Sequence, residues 1–234
     1  MKSPDSHFFL SPILVGENIL SEEESLHAIR VCRATIGDIL EVADGLGHLA
    51  KAKITEANIK ACKVFIENIQ TFEKETPKIK LALACLKDDA IEEIVLHVAE
   101  TLVDEIILLR TDYSQERKDS DLSKVIRRAN LKARVSLKQS LKAFETKISG
   151  PVPLKDYLKN VHGTLVLCDI NGKEEFPKNL KNQECITLFI GPEGGFSPSE
   201  IDLIQKQENV FSLKLGNTRL RAKTAALFAV GKLL

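Results

Sequence analysis

The chain has few aromatic residues and no long apolar stretch. It contains no tryptophan, one methionine and two tyrosines among 234 residues. Its apolar runs extend over only a few residues, far short of the ~20 that a membrane-spanning helix needs. The N-terminal residues also lack the long apolar segment of a signal peptide. These absences predict a soluble protein of the cytoplasm that has no membrane partner.

The sequence also shows no spacing typical of disulfide pairs or a metal cluster, and it has no strong net charge. The five cysteines are scattered, odd in number and show no CxxC spacing, which favours buried reduced thiols over disulfides or a zinc site. We therefore expect no metal. Lys/Arg and Asp/Glu are equal in number, so the formal net charge is zero. Any affinity for nucleic acid must then come from a local concentration of basic residues.

Two parts of the chain differ in their hydrophobic pattern. Residues 1–72 contain short alternating segments, typical of a small β-barrel or sandwich, and one helix over 22–34 with Ser21 and Glu24 as a capping pair. The charged, proline-containing segment 72–78 is typical of a linker. The strands of this first domain are predicted at 7–10, 38–43, 49–55 and 61–69.

Strands and helices alternate through the second predicted domain, residues 73–234. This alternation indicates a parallel sheet covered by helices on both faces, an α/β architecture. Pro151 and Pro153 are expected to break the chain before a short helix. The strands are predicted at 79–86, 105–109, 144–148, 164–169, 186–190 and 210–214, and the helices at 89–101, 122–143 and 154–160.

Two successive strand–loop–helix units near the end of the chain are the strongest signal. A buried strand leads into a loop with three glycines in five residues, Gly191, Gly194 and Gly195. The helix after it has three start signals, namely Ser197, Pro198 and Glu200. The second strand ends at Leu215-Gly216 and precedes a helix of small residues. Open α/β sheets bind ligands at the carboxyl ends of their strands.

Glycine lets a backbone approach a ligand closely and adopt positive φ. Leu213, Leu215 and Leu220 can provide apolar walls for an adenine, whose edge backbone groups can recognise. The glycine spacing matches neither a GxGxxG dinucleotide motif nor a phosphate-binding P-loop, which disfavours a phosphorylated cofactor. The bland alternative is that these glycines serve tight loop geometry alone; against it, the two glycine loops are expected to follow two neighbouring strands. Asp169, at the end of a strand, either contacts a ribose or initiates a turn.

The helix predicted over 122–143 carries seven cations and no acid between Ser123 and Lys142. Its buried stripe is predicted at Ile126, Ala129, Ala133, Leu137 and Leu141. The cations are either a solvated face or an RNA-binding surface, on which phosphate contacts would release counterions. The candidate RNA contacts are Lys124, Arg127, Arg128, Lys138 and Lys142, with Arg30 and Arg33 in the first domain.

The motifs GPEGGFSPSEI (191–201) and LGNTRLRAKTAAL (215–227) resemble those of the RsmE-type 16S ribosomal RNA methyltransferases of the SPOUT superfamily. The segment His27–Arg33, with Gly37-Asp38 and Asp44-Gly45, is similar to that family's leading domain. The resemblance implies a PUA-like β-barrel (1–72) followed by a SPOUT α/β domain (73–234) with a C-terminal trefoil knot. It also implies a homodimer, S-adenosylmethionine as methyl donor, and N3 of a uridine in 16S rRNA or the small ribosomal subunit as acceptor.

The resemblance also implies site residues. Arg221 matches the arginine of the second motif, and we expect it to stabilise negative charge on the uracil or to orient the base; a phosphate contact or a pair with Glu193 is the alternative. The cofactor site is predicted at Leu167, Ile190, Gly191, Gly194, Gly195, Leu213, Leu215, Gly216, Leu220 and Ala222.

Lys223 and Lys138 replace carboxylates of the family pattern, which favours a second hypothesis. In it the chain is a catalytically weakened rRNA-binding or ribosome-assembly protein of the same fold. The intact glycine loops and Arg221 favour the enzyme.

Overall fold

The computed structural model describes residues 7–114, 122–173, 175 and 180–233. The chain forms two compact units. One contains the described residues up to Lys74 together with Arg134–Glu145, and the other contains those of Glu75–Ala133 and Thr146–Leu234. Arg134–Glu145 therefore belongs with the N-terminal part of the chain, a long-range association that no local pattern indicated. The division of the chain at residue 72/73 stays a prediction.

The first unit is built on a five-stranded sheet in the order β1-β3-β4-β5-β2. The burial pattern of strand β4 explains why this sheet forms. Ala50, Ala52 and Ile54 are buried, while Lys51 and Lys53 between them are exposed. This alternation is typical of a sheet with one face in the core. The strands are β1 (Phe8–Phe9), β2 (Gly16–Ile19), β3 (Ile39–Ala43), β4 (His48–Glu56) and β5 (Lys63–Thr71). Of these, β2 was not predicted.

The helix of the first unit is shorter and less regular than predicted. Helix α1 spans Glu22–Leu26, and a single π-helical turn, His27–Val31, follows it. The predicted cap is present, since the Ser21 side chain accepts a hydrogen bond from the backbone N–H of Glu24. Beyond the turn, Arg33 adopts a left-handed conformation with φ of 55°, which ends the helix.

The second unit contains a six-stranded parallel sheet in the order β11-β9-β10-β6-β7-β8, as the alternating pattern predicted. All six residues of β10 are buried, as expected for a parallel strand that is covered on both faces. The strands are β6 (Lys78–Ala84), β7 (Val103–Arg110), β8 (Lys147–Pro153), β9 (Thr164–Lys173), β10 (Cys185–Ile190) and β11 (Val210–Leu213). The α-helices are α2 (Asp88–Val98), α3 (Leu122–Gln139), α4 (Leu154–Leu158), α5 (Pro198–Gln205) and α6 (Ala222–Gly231).

Two details of this sheet differ from the sequence prediction. Pro151 and Pro153 lie inside β8 rather than breaking the chain, because β8 is an edge strand and an edge tolerates a residue without an N–H. Strands β10 and β11 are not neighbours, because β9 lies between them. The two glycine loops are therefore separated by a third strand end.

Helix α3 ends earlier than predicted. Its buried stripe runs through Val125, Ala129, Ala133 and Leu137 at intervals of four residues. Leu141, predicted to belong to the stripe, lies beyond the last helical residue, has φ of 56° and is 49% exposed. Within the described ranges, no helix has the length and apolar character that crossing a membrane requires.

Candidate functional site

A cleft of about 460 Å³ lies in the second unit, at the carboxyl ends of β9, β10 and β11. The loops after β10 and β11 line it, together with residues 168–170 within β9. Of the ten residues predicted to bind a cofactor, the cleft contains Ile190, Gly191, Gly194, Gly195, Leu215, Gly216, Leu220 and Ala222. The structure thus brings together two motifs that are separated by thirteen residues, 202–214, in sequence.

The loop after β10 depends on its glycines. The backbone N–H of Gly195 donates to the carbonyl of Pro192 at 2.8 Å, which closes a tight turn. Gly195 has φ of 76°, in the left-handed region that glycine adopts most readily. A Cβ on Gly191 would lie 3.1 Å from the backbone carbon of Gly195, so the turn folds back closely on its own start.

Helix α5 anchors the end of this loop. Its predicted capping box is present: Ser197 Oγ accepts from the backbone N–H of Glu200, and the Glu200 carboxylate accepts from that of Ser197. Glu200 is buried and also accepts a 2.8 Å hydrogen bond from the backbone N–H of Asp112. Ser197 Oγ in turn donates to the Asp112 carboxylate. This network ties the loop after β7 to the start of α5.

The third wall comes from β9 and was largely missed by sequence reasoning. Ser212 of β11 pairs with Leu167, but the next residue, Leu213, pairs with Lys173. Residues 168–172 therefore leave the ladder, and Cys168, Asp169 and Ile170 line the cleft. No periodicity marks this bulge. A signal does exist in Gly172, where a Cβ would lie 2.6 Å from the backbone carbon of Leu213.

The surroundings of two side chains in this wall are well defined. Asp169 Oδ1 accepts a 2.7 Å hydrogen bond from the backbone N–H of Asn171, so it does form the turn that was one alternative for it. Its place in the cleft leaves ribose contact open as well. Burial raises the pKa of the Cys168 thiol to about 12. That thiol is therefore protonated at neutral pH and is no nucleophile.

Leu167 and Leu213 do not line the cleft. Their exposed fractions are 1% and 2%, and they lie in different core clusters. Of the predicted apolar residues, Ile190, Leu215, Leu220 and Ala222 do line it. Sequence reasoning also missed lining residues that flank the glycine motifs, namely Pro192, Glu193, Phe196, Thr218, Arg219 and Ala225.

Arg221 is exposed and is the N-cap residue of α6, between Leu220 and Ala222 of the cleft wall. Its side chain makes no capping hydrogen bond. The arginine that reaches residue 193 is Arg219, whose guanidinium donates to the backbone carbonyl of Glu193. Arg219 thereby links the loop after β11 to the loop after β10.

The two lysines that replace family carboxylates lie away from the cleft lining. Lys223 forms an ion pair with Glu93 of α2. Lys138 belongs to the first unit and pairs with Glu24 at 2.6 Å. Neither substitution places an extra cation among the residues that line the cleft.

The cations of α3 are less uniform than their sequence indicates. Arg128 pairs with Glu92 at 2.8 Å, Arg134 with Glu145 at 3.2 Å, and Lys138 with Glu24. Acids from elsewhere in the chain thus supply the opposite charge that the helix itself lacks. Among the other predicted RNA contacts, Lys124, Arg127, Arg30 and Arg33 are exposed, and Lys142 is half-buried.

Comparison with known proteins identifies the group to which this chain is similar. Residues 73–234 match the model of the RNA methyltransferase domain, and residues 20–67 match the RNA methyltransferase PUA domain. Ribosomal RNA small subunit methyltransferase E of Mesomycoplasma hyopneumoniae is 32% identical over 171 residues, 71% of this chain and 74% of the relative. The Rickettsia conorii protein of the same name is 26% identical over 219 residues, 91% and 87% of the two chains.

Solved structures agree. A Legionella pneumophila protein, described as a methyltransferase in complex with the bound cofactor SAM, has a TM-score of 0.84 at 26% identity, over 100% of this chain and 97% of that one. Ribosomal RNA small subunit methyltransferase E of Neisseria gonorrhoeae, bound to S-adenosyl methionine, has a TM-score of 0.85 at 19% identity, over 97% and 96%. The predicted PUA-like and parallel α/β fold is confirmed, whereas the knot stays a prediction. The chain belongs to the RNA methyltransferase family that includes the ribosomal RNA small subunit methyltransferase E proteins.

Proposed function

We propose that the chain methylates N3 of one uridine in 16S rRNA of the small ribosomal subunit, with S-adenosylmethionine as the methyl donor. The cleft carries this proposal. It is lined by the loops after β10 and β11, by apolar Ile190, Leu215 and Leu220, and by the carboxylate-bearing residues Asp169 and Glu193. The apolar side chains suit an adenine ring, and the carboxylates suit ribose hydroxyls and a cationic sulfonium. The relatives named above support the choice of donor and RNA.

The donor supplies an electrophilic methyl group on a positively charged sulfur. In the methyl transfer, N3 would gain the methyl group, the S–CH₃ electron pair would stay on the sulfur of a neutral thioether, and the N3 proton would pass to solvent. The glycine loops would hold and orient the donor, and such orientation lowers the barrier of a displacement. The Arg221 guanidinium stabilises the negative charge that develops on the uracil oxygens.

The proposed RNA contacts are Lys124 and Arg127 of α3 in the second unit and, separately, Arg30 and Arg33 of the first unit, all of which are exposed. Lys142 is a further candidate. Arg128 and Lys138 are also candidates, and each is paired with a carboxylate. Neutralising phosphates with such cations gives binding that weakens with salt.

Two measurements test the proposed function. Calorimetry with S-adenosylmethionine is expected to show one site per chain. Transfer of tritium from the labelled methyl group to small subunits that lack the modification is expected to label 16S rRNA at one uridine. Binding without transfer to any RNA would contradict the enzyme and favour the alternative rRNA-binding or ribosome-assembly protein.

We also propose the cytoplasm as the location, the trefoil knot, and a homodimer. The exposed Phe228 of α6, a helix whose other residues apart from Lys223 are small or aliphatic, supports an additional packing surface. Light scattering on the purified chain is expected to give twice the mass of one chain, and a monomer at micromolar concentration would contradict the dimer.

Replacing Arg219 with alanine is expected to weaken donor binding by about three- to tenfold, the range of one solvent-accessible charge-assisted hydrogen bond. The reason is the contact that joins the loops after β10 and β11. Calorimetry measures the dissociation constant. Arg127→Ala is the control, because Arg127 lies on α3 and is expected to affect RNA affinity alone. An unchanged dissociation constant in Arg219→Ala would show that this contact does not shape the cleft.

A further inference from the structure

Tyr113 lies in a closed turn directly after β7. The backbone N–H of Thr111 donates to Ser114 Oγ at 2.8 Å, and the backbone N–H of Ser114 donates to the Thr111 carbonyl at 3.1 Å. The turn is also fixed from outside, because the Asp112 backbone donates to the buried carboxylate of Glu200. The position of the Tyr113 backbone relative to helix α5 is therefore well determined.

The Tyr113 side chain borders the glycine loop of the cleft. A Cβ built on Gly194 would lie 3.3 Å from Cδ2 and 3.4 Å from Cβ of Tyr113, and Gly194 lines the cleft. Tyr113 is nevertheless 50% exposed. One side of the residue thus packs on the loop and the rest is open to solvent. The other tyrosine of the chain, Tyr157, packs against Phe189 in the core.

We propose that Tyr113 is a stacking platform for a base of the RNA substrate, next to the donor cleft. This inference rests on the proposed function, which places an unpaired base at this cleft. Proteins that read single-stranded RNA stack its splayed bases on aromatic rings. A ring whose backbone is already held by hydrogen bonds loses little further freedom when a base stacks on it. Substitution of such rings by alanine weakens binding by about 1–3 kcal/mol, a factor of roughly 5 to 150.

A structural role for Tyr113 makes a different prediction from a stacking role. If the side chain only supports Gly194, its removal must loosen the glycine loop and weaken donor binding. If it stacks on a base, its removal must weaken RNA binding and leave the donor affinity unchanged. Tyr113→Leu separates the two, because leucine keeps apolar bulk against the loop and removes the π-face.

The test uses the 234-residue chain and four variants, Tyr113→Ala, Tyr113→Leu, Tyr113→Phe and Tyr113→Trp. Donor affinity is measured by calorimetry, and RNA affinity by fluorescence anisotropy with a labelled single-stranded oligonucleotide that carries the target uridine. We expect donor affinity within about twofold of the parent chain in every variant, and RNA affinity about tenfold weaker in Tyr113→Ala and Tyr113→Leu only. Wild-type RNA affinity in Tyr113→Leu, or a parallel loss of donor affinity, would overturn the proposal.

A direct signal is also available. The chain contains no tryptophan, so the Tyr113→Trp variant carries a single indole, whose fluorescence is expected to be quenched when a base stacks on it. Unquenched fluorescence at saturating RNA would count against stacking. Both readouts need only RNA binding. A parent chain that binds RNA and transfers no methyl group would refute the proposed function and still decide the role of Tyr113.

Discussion

Arg221→Ala is expected to lose most of its turnover, roughly 10²- to 10³-fold, the usual effect of removing one group that stabilises charge in a transition state. The fold and donor affinity are expected to survive. The Arg221 side chain makes no capping hydrogen bond to α6, and its backbone carbonyl, which accepts from Ala225 at 2.8 Å, remains in the variant. Leu220 and Ala222, which line the cleft on either side, are also unchanged.

Single-turnover measurement with saturating donor and RNA isolates the effect on the chemical step. Arg219→Ala is the matched control, because it removes an arginine two residues away and is expected to change donor affinity instead of turnover. An Arg221→Ala variant that keeps the parent single-turnover rate would refute its role at the reacting base. A weaker dissociation constant for RNA without a change in rate would instead indicate that Arg221 contacts a phosphate of the RNA.

Lys138→Met is expected to destabilise the first unit by about 3 kcal/mol, the lower end of the range for a buried ion pair that loses one partner. The Glu24 side chain is 7% exposed and that of Lys138 18%. Oε2 of Glu24 has no hydrogen-bond partner among the described residues. Loss of the ammonium would therefore leave a buried carboxylate with little compensation. Urea unfolding followed by circular dichroism measures the change.

Two further variants test the cause of this destabilisation. Arg128→Met breaks a pair on the same helix in which Arg128 is 47% exposed, so the expected cost is below about 1 kcal/mol. Combining Lys138→Met with Glu24→Leu replaces both charges by apolar groups and is expected to restore most of the stability. Equal costs for Lys138→Met and Arg128→Met would show that the Lys138–Glu24 pair is not effectively buried.

Lys138 also illustrates the limit of a charge pattern. On sequence alone the cations of α3 form a one-signed surface, because no acid occurs among them. In the structure Glu92, Glu145 and Glu24 meet three of these cations from other parts of the chain. A pattern along one helix cannot contain this information, because the partners lie up to 114 residues away.

The cleft shows the same division between features that the sequence predicts and features that only the tertiary structure decides. The loop at Gly191, Gly194 and Gly195 and the cap at Ser197 were predictable, because each depends on residues within a few positions of one another. The bulge that brings Cys168, Asp169 and Ile170 into the cleft was not, because it arises from the register between β9 and β11. Leu213 was assigned to the site as an apolar wall and Leu167 from the family resemblance, yet both are buried in the core.

The sequence by itself determines local structure. Residues close to one another predict the order of strands and helices, the glycine turn and the helix caps, and two short motifs indicate the family. Contacts between distant segments are a different matter, because many pairings satisfy the same local pattern and only the packed chain selects one. The insertion of β9 between β10 and β11, the union of Arg134–Glu145 with the N-terminal unit, and the placement of Tyr113 against Gly194 all belong to this second class.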